Sequence, residues 1–266
     1  MRKLTLSRQA AVFCAVLALL TMTVAANATT ITMENTGTQG YPNTDTNWLW
    51  VNAGATSPGA QTISVSSPAS IVLNTADWPL TTVWMAAPPG SGWIGPSNET
   101  ASGSNPVVYN ASNNSYYIYQ EAFTISGTSD PSTVLITGAV ASDNCPTAVW
   151  INGQALTNTS GALMPSNCGT GGTSFTTTHT FAIGGSTTPG SATYDGVGSF
   201  HTGTNYIEFV VYNDTSSAPN PTGLLVTGLS GTVNPAGTVP EPATAGLLGI
   251  GIAAAALIRR RLSRSA

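Results

Sequence analysis

The sequence predicts an all-β sandwich with an apolar segment at each end. Three observations lead there. Short stretches alternate apolar and polar residues with the period of a strand, turn-forming pairs separate them, and the body shows no convincing amphipathic helix.

Residues 1–28 come first. A basic start (MRKLTLSR) precedes an apolar run from Ala10 to about Leu20, and Ala26-Asn27-Ala28 closes the segment. That order is a signal helix with an A-x-A site for signal peptidase, cut after Ala28. The apolar run is short for a membrane span and ends in small residues.

The body, residues 29–235, is expected to be one domain, a size at which all-β folds form a single core. Trp48 stands in an early TNWLW segment. Ser115–Ser126 (SYYIYQEAFTIS) puts Tyr117, Tyr119, Glu121, Phe123 and Ile125 on one face. Thr133–Ser142, Ala148–Asn152, Asn205–Tyr212 and Leu224–Thr232 read as further strands, with Ile207, Phe209 and Val211 sharing a face. Asp130-Pro131, Asn152-Gly153, Asn213-Asp214 and Asn220-Pro221 supply the turns. Many short strands with turns at this spacing give a β-sandwich.

Residues 236–266 contain VPEPATAGLLGIGIAAAALIRRRLSRSA from Val239 onward. An apolar helix from Ala243 to Ile258, sixteen residues, spans about 24 Å, marginal for a bilayer. The arginines after it are expected to stay cytoplasmic, leaving the body outside. Pro240-Glu241-Pro242, the Gly/Ala/Leu-rich transmembrane helix and Arg259, Arg260 and Arg261 together resemble the PEP-CTERM sorting signal of Gram-negative bacteria. The resemblance implies processing near Pro240-Glu241-Pro242 by an exosortase. It also implies a passing stay in the inner membrane and a destination at the cell surface or in the extracellular matrix.

The order of motifs in the body carries a second resemblance. TNWLW, Trp84 and Trp93 around a loop ending WIGP, the YYIYQEAFTI strand, ASDNCPTAVWINGQAL, GTNYIEFVVYND and NPTGLLVTGLSG follow one another over residues 41–233. This succession resembles the galactose-binding-like jelly rolls found in surface proteins and carbohydrate-binding modules. It implies a jelly-roll β-sandwich in which the ASDN region and the Asn-Gly turn are structural.

Charge distribution narrows the function. The chain has 7 Lys+Arg and 11 Asp+Glu, yet no Lys or Arg occurs between Thr29 and Thr238. Ten acids fall in that stretch: Glu34, Asp45, Asp77, Glu99, Glu121, Asp130, Asp143, Asp195, Glu208 and Asp214. Nucleic acid is excluded as a partner, because phosphate contacts need clustered Lys and Arg. Schiff-base chemistry is excluded for want of a lysine.

The remaining chemistry is sparse. Cys145 and Cys168, an even pair in an exported body, suggest a disulfide across the 22 residues between them, worth about 3 kcal/mol; two free thiols are the alternative. H-E-x-x-H and G-x-S-x-G are both absent. His179 reads as a solvent-facing strand position and His201 as a loop or edge residue. Glu121 and Asp143 are the pair a glycosidase would need, although a buried or edge-bonded acid explains Glu121 as well. Turns carrying Asp143-Asn144 and Asn213-Asp214 offer hard oxygen donors, so Asp143 and Asp214 are candidates for a structural calcium ion; ordinary turn formation is the plainer reading. Trp84, Trp93, Tyr116 and Tyr119 are candidate saccharide contacts, with core packing of the tryptophans as the competing reading.

The expectation is therefore a non-enzymatic exported protein that needs no cofactor and binds or organises exopolysaccharide. A purely structural or adhesion component without a saccharide site is the alternative, followed by a carbohydrate-active enzyme.

Overall fold

The structure is a computed structural model describing residues 27–54, 69–77, 79–96, 100–102, 105–107, 114–160, 174–184, 192–196, 198–214 and 220–237. Two compact units divide the chain: Ala28–Asn234, and Met1–Asn27 with Pro235–Ala266. The expected signal and sorting helices, with Ala26, Pro240, Glu241, Pro242, Arg259, Arg260 and Arg261, lie outside the described residues, as does Cys168. Ala28 is exposed just before the first strand. Among the described residues no helix is long and apolar enough to cross a membrane.

The body is all-β. Its strands are β1 (Thr29–Ile31), β2 (Thr44–Gly54), β3 (Ala69–Val72), β4 (Ile94–Gly95), β5 (Thr100–Ser102), β6 (Asn105–Val107), β7 (Ser115–Ile125) and β8 (Leu135–Asp143). Then follow β9 (Cys145–Ile151), β10 (Gln154–Ala155), β11 (Thr157–Ser160), β12 (His179–Ile183), β13 (Ala192–Asp195), β14 (Gly203–Asn213) and β15 (Gly223–Val233). A short 3-10 turn at Pro131–Thr133, capped by the Asp130 side chain, replaces the predicted start of the strand at Thr133. Proline fixes its own φ and gives no ladder N–H, so the strand begins after it.

The strands do not separate into two stacked sheets as the sandwich reading expected. They form one sheet in the order β10-β9-β14-β7-β2-β3-β4-β15-β8-β12-β13-β11, with β1 beside β15 and β5-β6 apart. Short β3 and β4 bridge the β2 layer to the β15 layer by backbone hydrogen bonds. At the other margin, β10 and β11 are opposite ends of the sheet, yet only Leu156 lies between them in the chain. The sheet is therefore nearly closed into a barrel.

Alternation decides what fills it. Tyr117, Tyr119, Phe123 and Ile125 of β7 join Ile207, Phe209 and Val211 of β14 in the main core. Facing them are Ile136, Val140, Phe181, Ile183, Leu224 and Val226. Phe181 meets Phe209 edge to face at 5.4 Å, a favoured aromatic geometry. Each such side chain contributes about 1.5–3 kcal/mol by leaving water.

The outer faces are partly buried as well, which is why β15 reads Leu-Leu-Val rather than alternating. Leu225 and Ala141 lie beneath Leu73, Trp84 and Trp93, contributed by the segment between β3 and β4. Gly223 must be glycine for this cover to close: a Cβ there would sit 2.8 Å from the Trp84 ring. On the other layer, Ile118, Trp150 and Val210 form a further cluster.

Candidate functional site

A break in one strand makes the site. β2 pairs with β7 from Gly54↔Tyr116 to Trp48↔Glu121. Beyond a register shift between Leu49 and Asp45, its first residues, Thr44 and Asp45, pair with β3 instead. The two strands thus fork at Glu121. The segment after β1 crosses the fork, where the Glu34 backbone N–H donates to Glu121 Oε1 at 2.5 Å. The Trp48 indole N–H donates to the Glu34 carbonyl at 3.2 Å.

The fork opens a cleft of about 560 Å³ whose lining includes Glu34, Asn47, Gln120, Glu121, Thr204 and Tyr206. Asn and Gln amides and the Thr hydroxyl both donate and accept. Tyr206, half-buried, adds an aromatic ring, and Leu49 an aliphatic one-sided wall.

Glu121 sits on the core face of β7 and is 2% exposed. Its Oε2 is buried and has no hydrogen-bond partner among the described residues. Burial raises its carboxyl to about 8; the Glu34 N–H pulls it back, while the charges of Glu34 and Asp45 raise it further. At neutral pH it is accordingly a neutral acid able to donate. Asp45, also buried, accepts from Gly37 N at 2.6 Å and Asn47 N at 3.2 Å, and burial holds it above the usual carboxylate range.

Asp143 lies elsewhere. It ends β8 at a cis bond to Asn144, and its Oδ2 accepts the Trp84 indole N–H at 2.9 Å. Burial raises its carboxyl to about 7 against that hydrogen bond. The Asn144 backbone N–H donates to the Tyr212 carbonyl, which places this corner beside the Ser115 end of β7. Glu121 is six residues along β7 from Ser115, so the two acids are about 20 Å apart. They do not form the catalytic pair weighed from the sequence.

The calcium reading also meets this corner. Asn144 Oδ1 accepts the Asp214 N–H at 2.8 Å, and the Asp214 carbonyl accepts Asn220 Nδ2 at 2.8 Å. Asp143 Oδ2, Asn144 Oδ1 and the Asp214 carbonyl are thus engaged within this corner. Among the described residues no group of three His, Cys, Asp or Glu is placed to hold a metal ion.

The aromatic candidates separate. Trp84 and Trp93 are 4% and 2% exposed and pack on each other at 4.4 Å, with the Trp93 indole N–H bonded to the Met85 carbonyl at 3.0 Å. Tyr119 is in the core. These three rings offer no open face, because they cover the β8–β15 layer or fill the barrel. Tyr116 is half-buried and lies 4.8 Å from Tyr212, whose hydroxyl donates to Asn114 Oδ1 at 2.8 Å. His179 begins β12, half-buried, and His201 is exposed in the loop before β14. Cys145 is fully buried at the start of β9.

Sequence reasoning missed Glu34, Asn47, Gln120, Thr204 and Tyr206; Glu34 and Asn47 come to the cleft at the fork, and Thr204 and Tyr206 along the β14–β7 ladder. It also missed Glu208, 1% exposed, which accepts the Gly153 N–H at 2.9 Å and is raised by burial to about 7.

Residues 238–261 match the PEP-CTERM protein-sorting motif. The motif indicates export, a membrane-anchored sorting signal and processing by an exosortase. No curated protein and no solved structure matches the chain.

Proposed function

We propose that the chain is delivered to the surface of a Gram-negative cell and that its body is a non-catalytic saccharide-binding module, related to the galactose-binding-like jelly rolls, that holds or organises exopolysaccharide. The observation that carries this reading is the cleft at the β2–β7 fork. Its volume falls within the range of about 300–1,000 Å³ typical of small-molecule sites. Its lining of amides, hydroxyls, a protonatable acid and one tyrosine is what a polyhydroxylated ring requires. The Cys145–Cys168 disulfide belongs to the same reading, since it would form in the oxidising compartment that export reaches.

The test is glycan-array binding by residues 29–238, with and without calcium, alongside Thr204→Trp, which fills the cleft from an exposed position. Saturable binding that falls at least about tenfold in T204W, a loss of about 1.4 kcal/mol, is expected. A folded body that binds no glycan would favour a structural or adhesion role instead. Glycan turnover lost in Glu121→Gln would favour an enzyme.

A further inference from the structure

We infer that the cleft at the β2–β7 fork selects uncharged saccharides and turns away anionic ones, with Glu34 the side chain that enforces the choice. This rests on the saccharide-binding reading and adds to it the class of ligand. Three observations lead to it.

The first is charge. From Thr29 to Thr238 the chain holds no Lys or Arg, so a uronate, sulfate or pyruvyl carboxylate on a ligand has no side-chain cation to meet there. Neither histidine is among the residues that line the cleft. His179 stands on β12, and His201 Nδ1 lies 3.3 Å from Asn152 Nδ2, against the turn between β9 and β10.

The second is position. Glu34 and Glu121 both line the cleft, and Asp45 is near enough for its charge to act on Glu121. Glu34 is exposed at the mouth. An anion entering would face the charge of Glu34 at the mouth, with no Lys or Arg in the body to offset it.

The third is the unmet valence at the floor. Glu121 is almost wholly buried, one oxygen takes the Glu34 N–H, and Oε2 has no partner among the described residues. Burial raises the carboxyl to about 8, so at neutral pH the group beneath the cleft is an uncharged acid. Gln120 and Asn47 supply donors and acceptors suited to neutral hydroxyls.

The experiment uses the exported full chain solubilised in detergent, at pH 6.5 and low salt with a chelator present. Affinity electrophoresis compares neutral polysaccharides (dextran, galactan, mannan) with anionic ones (alginate, polygalacturonate). Retention by a neutral polymer is expected, with anionic polymers bound at least about tenfold more weakly. Glu34→Gln, a surface change that spares its backbone bond to Glu121, should narrow that gap several-fold. Equal binding of alginate by the wild-type chain overturns the selectivity, as does a gap that E34Q leaves unchanged. Binding of anionic polymers that appears only on adding calcium overturns it too. Failure to bind any polymer of either class rejects the saccharide reading itself.

Discussion

Gly223 and Glu121 show how much a single position carries. Gly223 opens β15 directly under Trp84, with Trp84 ring carbons 2.8 Å and the Ile94 carbonyl 3.1 Å from where a Cβ would stand. Gly223→Ala should therefore destabilise the body by about 1–3 kcal/mol in urea unfolding and change tryptophan fluorescence, because Trp84 must move off Trp93. Glu121 is legible in the sequence as an acid on a strand's apolar face, and the structure confirms that face as core. What the alternation cannot show is its company: Glu34 lies 87 residues away in the chain. Glu121→Gln keeps an acceptor for the Glu34 N–H and removes the ionisable group. Its melting temperature should equal that of the wild type near pH 5 and exceed it near pH 8.5.

At the scale of elements, the long strands were readable and the short ones were not. Ser115–Ser126 and Asn205–Tyr212 appear as β7 and β14 within a residue or two, because eleven-residue ladders with a buried face keep strict alternation. β3 and β4, of four and two residues, carry too little pattern to be seen, yet they turn two layers into one sheet. The fork is equally invisible, being a register shift within a continuous strand. The Trp84 and Trp93 pair looked like a ligand platform or a seal, and burial over β8 and β15 makes it the seal. The Asn152-Gly153 turn was legible and is now explained. Asn152 and Gly153 have φ of 54° and 75°, the left-handed pair that a two-residue hairpin needs. The Asn152 side chain also binds the Ser199 carbonyl at 2.8 Å, Asn205 Oδ1 at 3.0 Å and the Tyr206 N–H at 2.9 Å. Asn152→Ala should cost about 2–4 kcal/mol in thermal or chemical unfolding. Asn152→Gly should recover the part due to φ, about 1–2 kcal/mol, and not the rest.

For the whole molecule, the missing bases become a statement about pH. Asp45, Glu121, Asp143 and Glu208 are all raised by burial, and the body has no Lys or Arg to hold any of them as anions. In the folded state these carboxyls bind protons more tightly than in the unfolded chain, so stability falls as pH rises. The contribution is complete below about pH 4, where both states are protonated. It is lost through about 7 for Asp143 and Glu208 and about 8 for Glu121. His179, lowered by burial, acts the other way, and it is one group against four. The melting temperature should fall steadily from pH 5 to pH 8.5; a flat or rising profile would show that these acids ionise freely in the folded body.

The antiparallel pairing of β1 with β15 has a mechanical meaning. Thr29, the first residue left after the predicted cut at Ala28, is the direct partner of Val233, a few residues before the sorting motif begins at 238. Both ends of the folded body thus emerge at a single point. A force applied through either end of the body therefore acts at the same point, on the same pair of strands.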